Sequence, residues 1–78
     1  MAFYIEMDKV VETEEYVEYT FGRNLEVGII RLGKKDETIH VLKECPLDVN
    51  GEWSKRAAMK LIRLSRGGSF PGKTQWAS

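Results

Sequence analysis

Residues 52–66 read EWSKRAAMKLIRLSR, and this stretch carries the clearest periodicity in the chain. On a helical wheel at about 100° per residue, Ala57, Ala58, Leu64, Ser65 and Ser54 gather around Leu61, with Trp53 and Ile62 at the borders of the stripe. Lys55, Arg56, Lys60, Arg63 and Arg66 fall on the opposite side, with Met59 the one apolar residue among them. The division predicts an amphipathic helix lying on a core, and the two alanines allow close approach. Ser54 is the expected N-cap, with Asn50 one turn earlier as its competitor. Gly67 and Gly68 supply the stop, because glycine enters the left-handed region at no steric cost. Arg63 and Arg66 suit the negative end of the helix dipole.

Upstream of the helix the period changes from 3.6 to 2. From Ala2 to Val11, Phe3, Ile5 and Met7 alternate with Tyr4, Glu6 and Asp8, which is the signature of a half-buried strand. After the polar break at Glu12 to Glu15, Val17, Tyr19 and Phe21 alternate with Tyr16, Glu18 and Thr20, and the β-branched and aromatic content favours strand over helix. Gly22-Arg23-Asn24 reads as a turn. Leu25 to Leu32 reads as a third strand whose apolar set changes face near Gly28, first Val27 and Ile29, then Ile30 and Leu32. Either a bulge at Gly28 or burial on both faces would account for this. Gly33 to Asp36 is hairpin chemistry, Glu37 to Glu44 a fourth strand, and Cys45-Pro46 its end.

The order β-β-β-β-α with short connections predicts α+β architecture: a four-stranded antiparallel meander with one C-terminal helix packed across one face. The 78 residues form a single small domain. Its expected core is Phe3, Ile5, Val17, Tyr19, Phe21, Val27, Ile29, Ile39, Val41, Ala58, Leu61, Ile62 and Leu64. Residues 69–78 read as an irregular tail, with one or both of Phe70 and Trp76 folding back onto the domain.

Twelve basic and twelve acidic residues give zero formal charge, but they are segregated. Residues 1–26 hold seven acids against two bases, and residues 52–78 hold six bases against Glu52 alone. The chain is therefore dipolar along its length. A lone cysteine, Cys45, allows no internal disulfide, which fits a reducing cytoplasmic setting. Its place beside Pro46 marks it as a structural thiol. The N-terminus has neither a basic start nor a long apolar run, so no signal peptide and no membrane span are expected.

Residues 67–74, GGSFPGKT, match the phosphate-cradling pattern G-x-x-x-x-G-K-[ST] letter for letter. That loop works only between a preceding strand and a following helix, whose N-terminus helps hold the phosphates. Here a helix precedes and four residues follow, so the match is refused and no nucleotide is expected. No spacing of histidine, cysteine or carboxylates suggests a metal, no triad can be placed, and no cofactor is expected. An enzyme is the class least supported.

What remains is binding, and the leading reading is a non-enzymatic protein-interaction module. The sheet face away from the helix would carry Tyr4, Tyr16, Ile30, Leu32, His40 and Leu42, an apolar patch suited to a protein partner or to a homodimer. A second reading places nucleic-acid phosphates on Lys55, Arg56, Lys60, Arg63 and Arg66. The neutral charge and the acidic first hairpin argue against it. A third takes the hairpin groups Glu12, Glu14, Glu15, Tyr16, Glu18 and Tyr19 as the steering surface of an antitoxin- or immunity-type inhibitor of a basic enzyme.

Overall fold

The computed structural model describes residues 4–77. Strands β1 (Tyr4–Glu12), β2 (Tyr16–Arg23), β3 (Glu26–Gly33) and β4 (Ile39–Lys43) are followed by helix α1 (Glu52–Gly67) and a fifth strand, β5 (Lys73–Ala77). All neighbours pair antiparallel, in the spatial order β4-β3-β2-β1-β5. The first four strands thus form the expected meander, with the helix on one face. The fifth corrects the irregular tail. Strand β5 lies along the outer edge of β1, with Ile5 opposite Trp76 and Met7 opposite Thr74. The returning tail therefore extends the sheet sideways, and both Phe70 and Trp76 pack against the core, as expected.

The core lies between the sheet and α1. Ile5 and Met7 of β1, Val17, Tyr19 and Phe21 of β2, Ile30 and Leu32 of β3, Cys45, and Ala57 and Leu61 of α1 are buried. Burying an aliphatic side chain of this size contributes roughly 1.5–3 kcal/mol. Trp53, Ala58, Ile62, Leu64, Ile39 and Leu47 close the periphery. The expected core residue Phe3 lies outside the described residues.

Strand β3 faces the opposite way from the sequence reading. Tyr19 pairs with Ile30, Val17 with Leu32 and Phe21 with Gly28, so Gly28, Ile30 and Leu32 share the helix side with the β2 core residues. Val27 and Ile29 pair with Gly22 and Thr20 and lie on the other face, only partly buried. The apparent change of face at Gly28 arises because the glycine itself points inward. A Cβ there would sit 2.4 Å from the Lys43 carbonyl oxygen, 2.7 Å from the Cys45 nitrogen and 2.8 Å from the Phe21 ring. The space that a side chain would fill is taken by Phe21 and by the chain leaving β4. The bulge suspected at Gly28 lies instead in the β3–β4 ladder: Ile30 pairs with Val41 and Ile29 with Lys43, which leaves Leu42 as the extra residue. Val41, expected in the core, stays 43% exposed at the sheet edge.

The helix begins and ends by different devices. Gly68 takes φ 83° and donates to the carbonyls of Leu64 and Ser65, the glycine stop expected from sequence. At the other end Gly51 occupies the cap position with φ 80° and no capping side chain of its own. The free amides of the first turn are held by Asp48, whose two carboxylate oxygens accept from Trp53 N (3.0 Å) and Ser54 N (3.1 Å). A carboxylate there also complements the helix dipole. Neither expected cap fills this role: Ser54 Oγ donates back to Gly51 O, and Asn50 accepts a 3.3 Å bond from Glu52 N.

Candidate functional site

The five strands and one helix offer five surfaces that could meet a partner: the open sheet face, the β1–β2 tip, the outside of α1 and the two sheet edges. Each is built from the alternation of the strands or the period of the helix.

The open face is more polar than its sequence suggested. Ile30 and Leu32, assigned to it from the pattern, are completely buried on the helix side. The correction follows from the inward Gly28, which sets the parity of the whole strand. The face that remains has Tyr4, Tyr16, His40 and Leu42 from the expected set, and its charges are matched across strands. Arg31 donates to Glu18 through Nε (2.8 Å) and Nη2 (2.6 Å), and its guanidinium lies 4.2 Å from the centroid of the Tyr16 ring. Tyr4 OH donates to Gln75 Oε1 at 2.9 Å. Lys73 Nζ donates to Asp8 Oδ1 at 2.7 Å, and this pairing raises the lysine pKa above its ordinary value. A shallow groove of about 220 Å³ runs here between β1 and β5, bordered by Glu6, Asp8, Lys73 and Gln75.

The acidic tip is largely neutralised. Glu12 lies between Lys34 (2.7 Å) and Lys9 (2.9 Å), and hydrogen bonds from these two ammonium groups hold its carboxyl below the usual range. Glu18 is taken by Arg31. Tyr19, expected on this surface, is a core residue whose hydroxyl donates to the carbonyl of Pro71. Burial, reinforced by the negative charge of Glu12, pushes its phenol up to about 12. Only Glu14 and Glu15 stay fully outward at the turn, so the steering patch read from the sequence is not assembled as a unit. Lys9 also donates to the carbonyl of Phe70 (2.9 Å), and Lys34 sits 5.3 Å from the Phe70 ring centroid. These groups seal the end of the core where the tail crosses.

The segment 67–74 completes the helix stop and enters β5, with Lys73 paired to Asp8. A strand therefore follows the glycine-rich stretch where a phosphate loop requires a helix. Cys45 is buried and donates to the carbonyl of Glu26 at 3.2 Å, which ties the β4 exit to the β2–β3 turn.

Along α1 the cations face outward as the wheel predicted. Lys55, Arg63 and Arg66 are exposed, and Arg56 and Lys60 are half-buried. Arg63 rests 5.0 Å from the centroid of the Trp76 ring. Arg66 has a long contact with Glu37 (3.4 Å), and Arg56 one with Glu52 (3.6 Å).

The two sheet edges differ. Strand β5 is bound down by Trp76 and by the Lys73–Asp8 pair. Strand β4 is exposed along four of its five residues, with Val41 (43%) and Leu42 (49%) bare on an edge that no strand or helix covers. Two further aliphatics, Leu25 (96%) and Val49 (93%), project from the neighbouring turns at the end of the molecule where the Cys45–Glu26 bond joins them. Sequence reasoning took Leu25 as the first residue of the third strand, whereas the strand starts at Glu26, and it passed over Val49 because a single apolar residue in a loop carries no periodic signal. No protein-family model matches this chain, and no curated protein or solved structure matches it.

Proposed function

We propose that this chain is a protein-interaction module without catalytic activity of its own, and that it engages its partner through the β4 edge and the apolar end beside it. The reading rests on one observation: aliphatic side chains are exposed on an edge strand that, among the described residues, carries no ion pair. An uncovered edge presents backbone donors and acceptors that another strand can satisfy, and flanking apolar side chains add area to that pairing. The bulge at Leu42 limits regular pairing to a short run, so side-chain contacts from Val41, Leu42, Leu25 and Val49 carry much of the association.

A second copy is the first partner to consider, since one edge meeting its twin about a two-fold axis brings the same apolar residues together twice. Sedimentation equilibrium up to millimolar protein tests this. The expected result is a reversible dimer that the pair Val41→Lys and Leu42→Lys dissolves with little change in melting temperature. A protein that stays monomeric over that range, with amide signals of residues 39–43 unchanged by concentration, removes self-association from the reading.

A further inference from the structure

We infer that the outer face of α1 is a docking surface for the phosphodiester backbone of duplex nucleic acid, separate from the β4 edge. Two features of the sequence argued against this: the neutral formal charge and the acidic first hairpin. The structure weakens the second, with Glu14 and Glu15 the hairpin acids that stay exposed at the turn. The first-hairpin acids Asp8, Glu12 and Glu18 are each paired with a cation, to Lys73, to Lys9 and Lys34, and to Arg31. Asp8 and Glu18 moreover occupy the open face, with the sheet between them and the helix. The helix cations are left with few competitors. Among the described residues no carboxylate lies within 4.0 Å of Lys55, Lys60 or Arg63, and Arg66 keeps only its long contact with Glu37.

The arrangement suits a polyanion in both directions. Around the helix, Lys55, Arg66, Met59, Arg63, Arg56 and Lys60 fall in that order within an arc of about 140°, with Glu52 of the first turn, which contacts Arg56, as the acid among them. Ala57, Leu61 and the partly buried apolar residues occupy the remainder and face the core. Along the helix, Lys55 to Arg66 spans about 16 Å at 1.5 Å per residue. Phosphates recur about every 3.4 Å of axis along each strand of B-form DNA but wind around that axis, so a straight row of this length reaches a few of them at a time. Arg63 is steadied over the Trp76 ring, which lowers the ordering cost of one contact. That stacking also occupies the ring, and Trp53, the aromatic of α1 itself, packs against the core. A single strand, which needs bare aromatic faces for its bases, therefore fits less well than a duplex.

The test is fluorescence anisotropy of labelled DNA and RNA duplexes titrated with the full chain at several salt concentrations. The expected result is binding whose log–log salt slope is about −3 to −4, near 0.9 for each phosphate neutralised by Lys55, Lys60, Arg63 and Arg66. The triple variant Lys55→Gln, Lys60→Gln and Arg63→Gln should lose at least about tenfold in affinity at low salt. The triple variant Arg23→Gln, Lys43→Gln and Lys73→Gln removes the same charge from exposed sites off the helix and should lose less than about threefold. Circular dichroism establishes that both remain folded, and Arg63→Lys should retain binding. Preference for the DNA or the RNA duplex would specify the ligand within the proposal. Absence of binding at low salt, equal losses in the two triples, or equally tight binding to anionic vesicles of phosphatidylserine would each overturn it.

Discussion

The two edges of the sheet carry strands of equal length, five residues each, yet they are finished in opposite ways. At β5 the chain has returned from the helix and bound itself down: Trp76 lies beneath Arg63, Lys73 pairs with Asp8, and the approach to the strand is fastened by Tyr19 to Pro71 and Lys9 to Phe70. Both strands are paired on one side only, β5 by β1 and β4 by β3, but the exposed residues of β4 include Val41 and Leu42. An edge in a small domain is a liability that must be blunted or used. This protein blunts one with its own tail and leaves the other to a bulge and to whatever covers it. The comparison teaches that residues 73–77 belong to the folding unit: they occupy the free side of β1, which would otherwise be a bare edge.

The largest expected effect separates the two sides of the sheet by glycine. Gly28→Ala puts a methyl group against the Lys43 carbonyl, the Cys45 amide and the Phe21 ring, two of which are backbone and cannot turn aside. Overpacking of this kind should cost about 3 kcal/mol in urea unfolding, with faster hydrogen exchange along β4. Gly72→Ala, on the approach to β5, meets nothing within 4 Å and should stay within about 0.5 kcal/mol of the parent. Similar losses from both would break the asymmetry.

Next comes the tail. Trp76→Ala removes a half-buried indole from the rim of the core and should cost about 2 kcal/mol, below the value for a fully buried aromatic. Exchange of the amides of residues 73–77 should rise well before that of β2 and β3. If β5 stays protected, its ladder with β1 holds it without the indole.

The smallest effect comes from the tie between the core and the tail. Tyr19→Phe deletes the bond to the Pro71 carbonyl and should cost about 1 kcal/mol at neutral pH. Its pH signature is more telling. An unfolded tyrosine ionises near 10.0, whereas burial raises Tyr19 to about 12 in the folded chain. Between those values the unfolded state releases a proton that the native state keeps, so stability is full below pH 10 and falls as pH rises towards 12. Tyr19→Phe should flatten that part of the profile, and ultraviolet titration of the three tyrosines should show one ionising late. Three coincident titrations would mean that the phenol is not shielded.

Much of the fold was legible from local pattern. The helix and its glycine stop, the first two strands and their inward residues, and the meander itself follow from periodicity and turn chemistry, which act over a few residues. The docking surfaces were legible only where the same pattern sets them: the outward cations of α1 did emerge, whereas Ile30 and Leu32 were assigned to the wrong face. A glycine in a strand has no side chain to declare its side, so the flanking apolar residues of β3 could be counted in either parity. The N-terminal cap failed for a similar reason, because Asp48 reaches the helix from outside the adjacent residues.

By itself, then, the sequence determined the first four extended segments, the helix and the turns between them, since these depend on backbone freedom and on the alternation of apolar side chains along the chain. Only the tertiary structure decided which face of β3 is the core, that KTQWA at positions 73–77 becomes a strand, and which acids neutralise which bases. The reason is physical: a five-residue strand gains its hydrogen bonds from the free edge of β1, and an ion pair from a residue distant in sequence. Both exist only once the chain has closed upon itself.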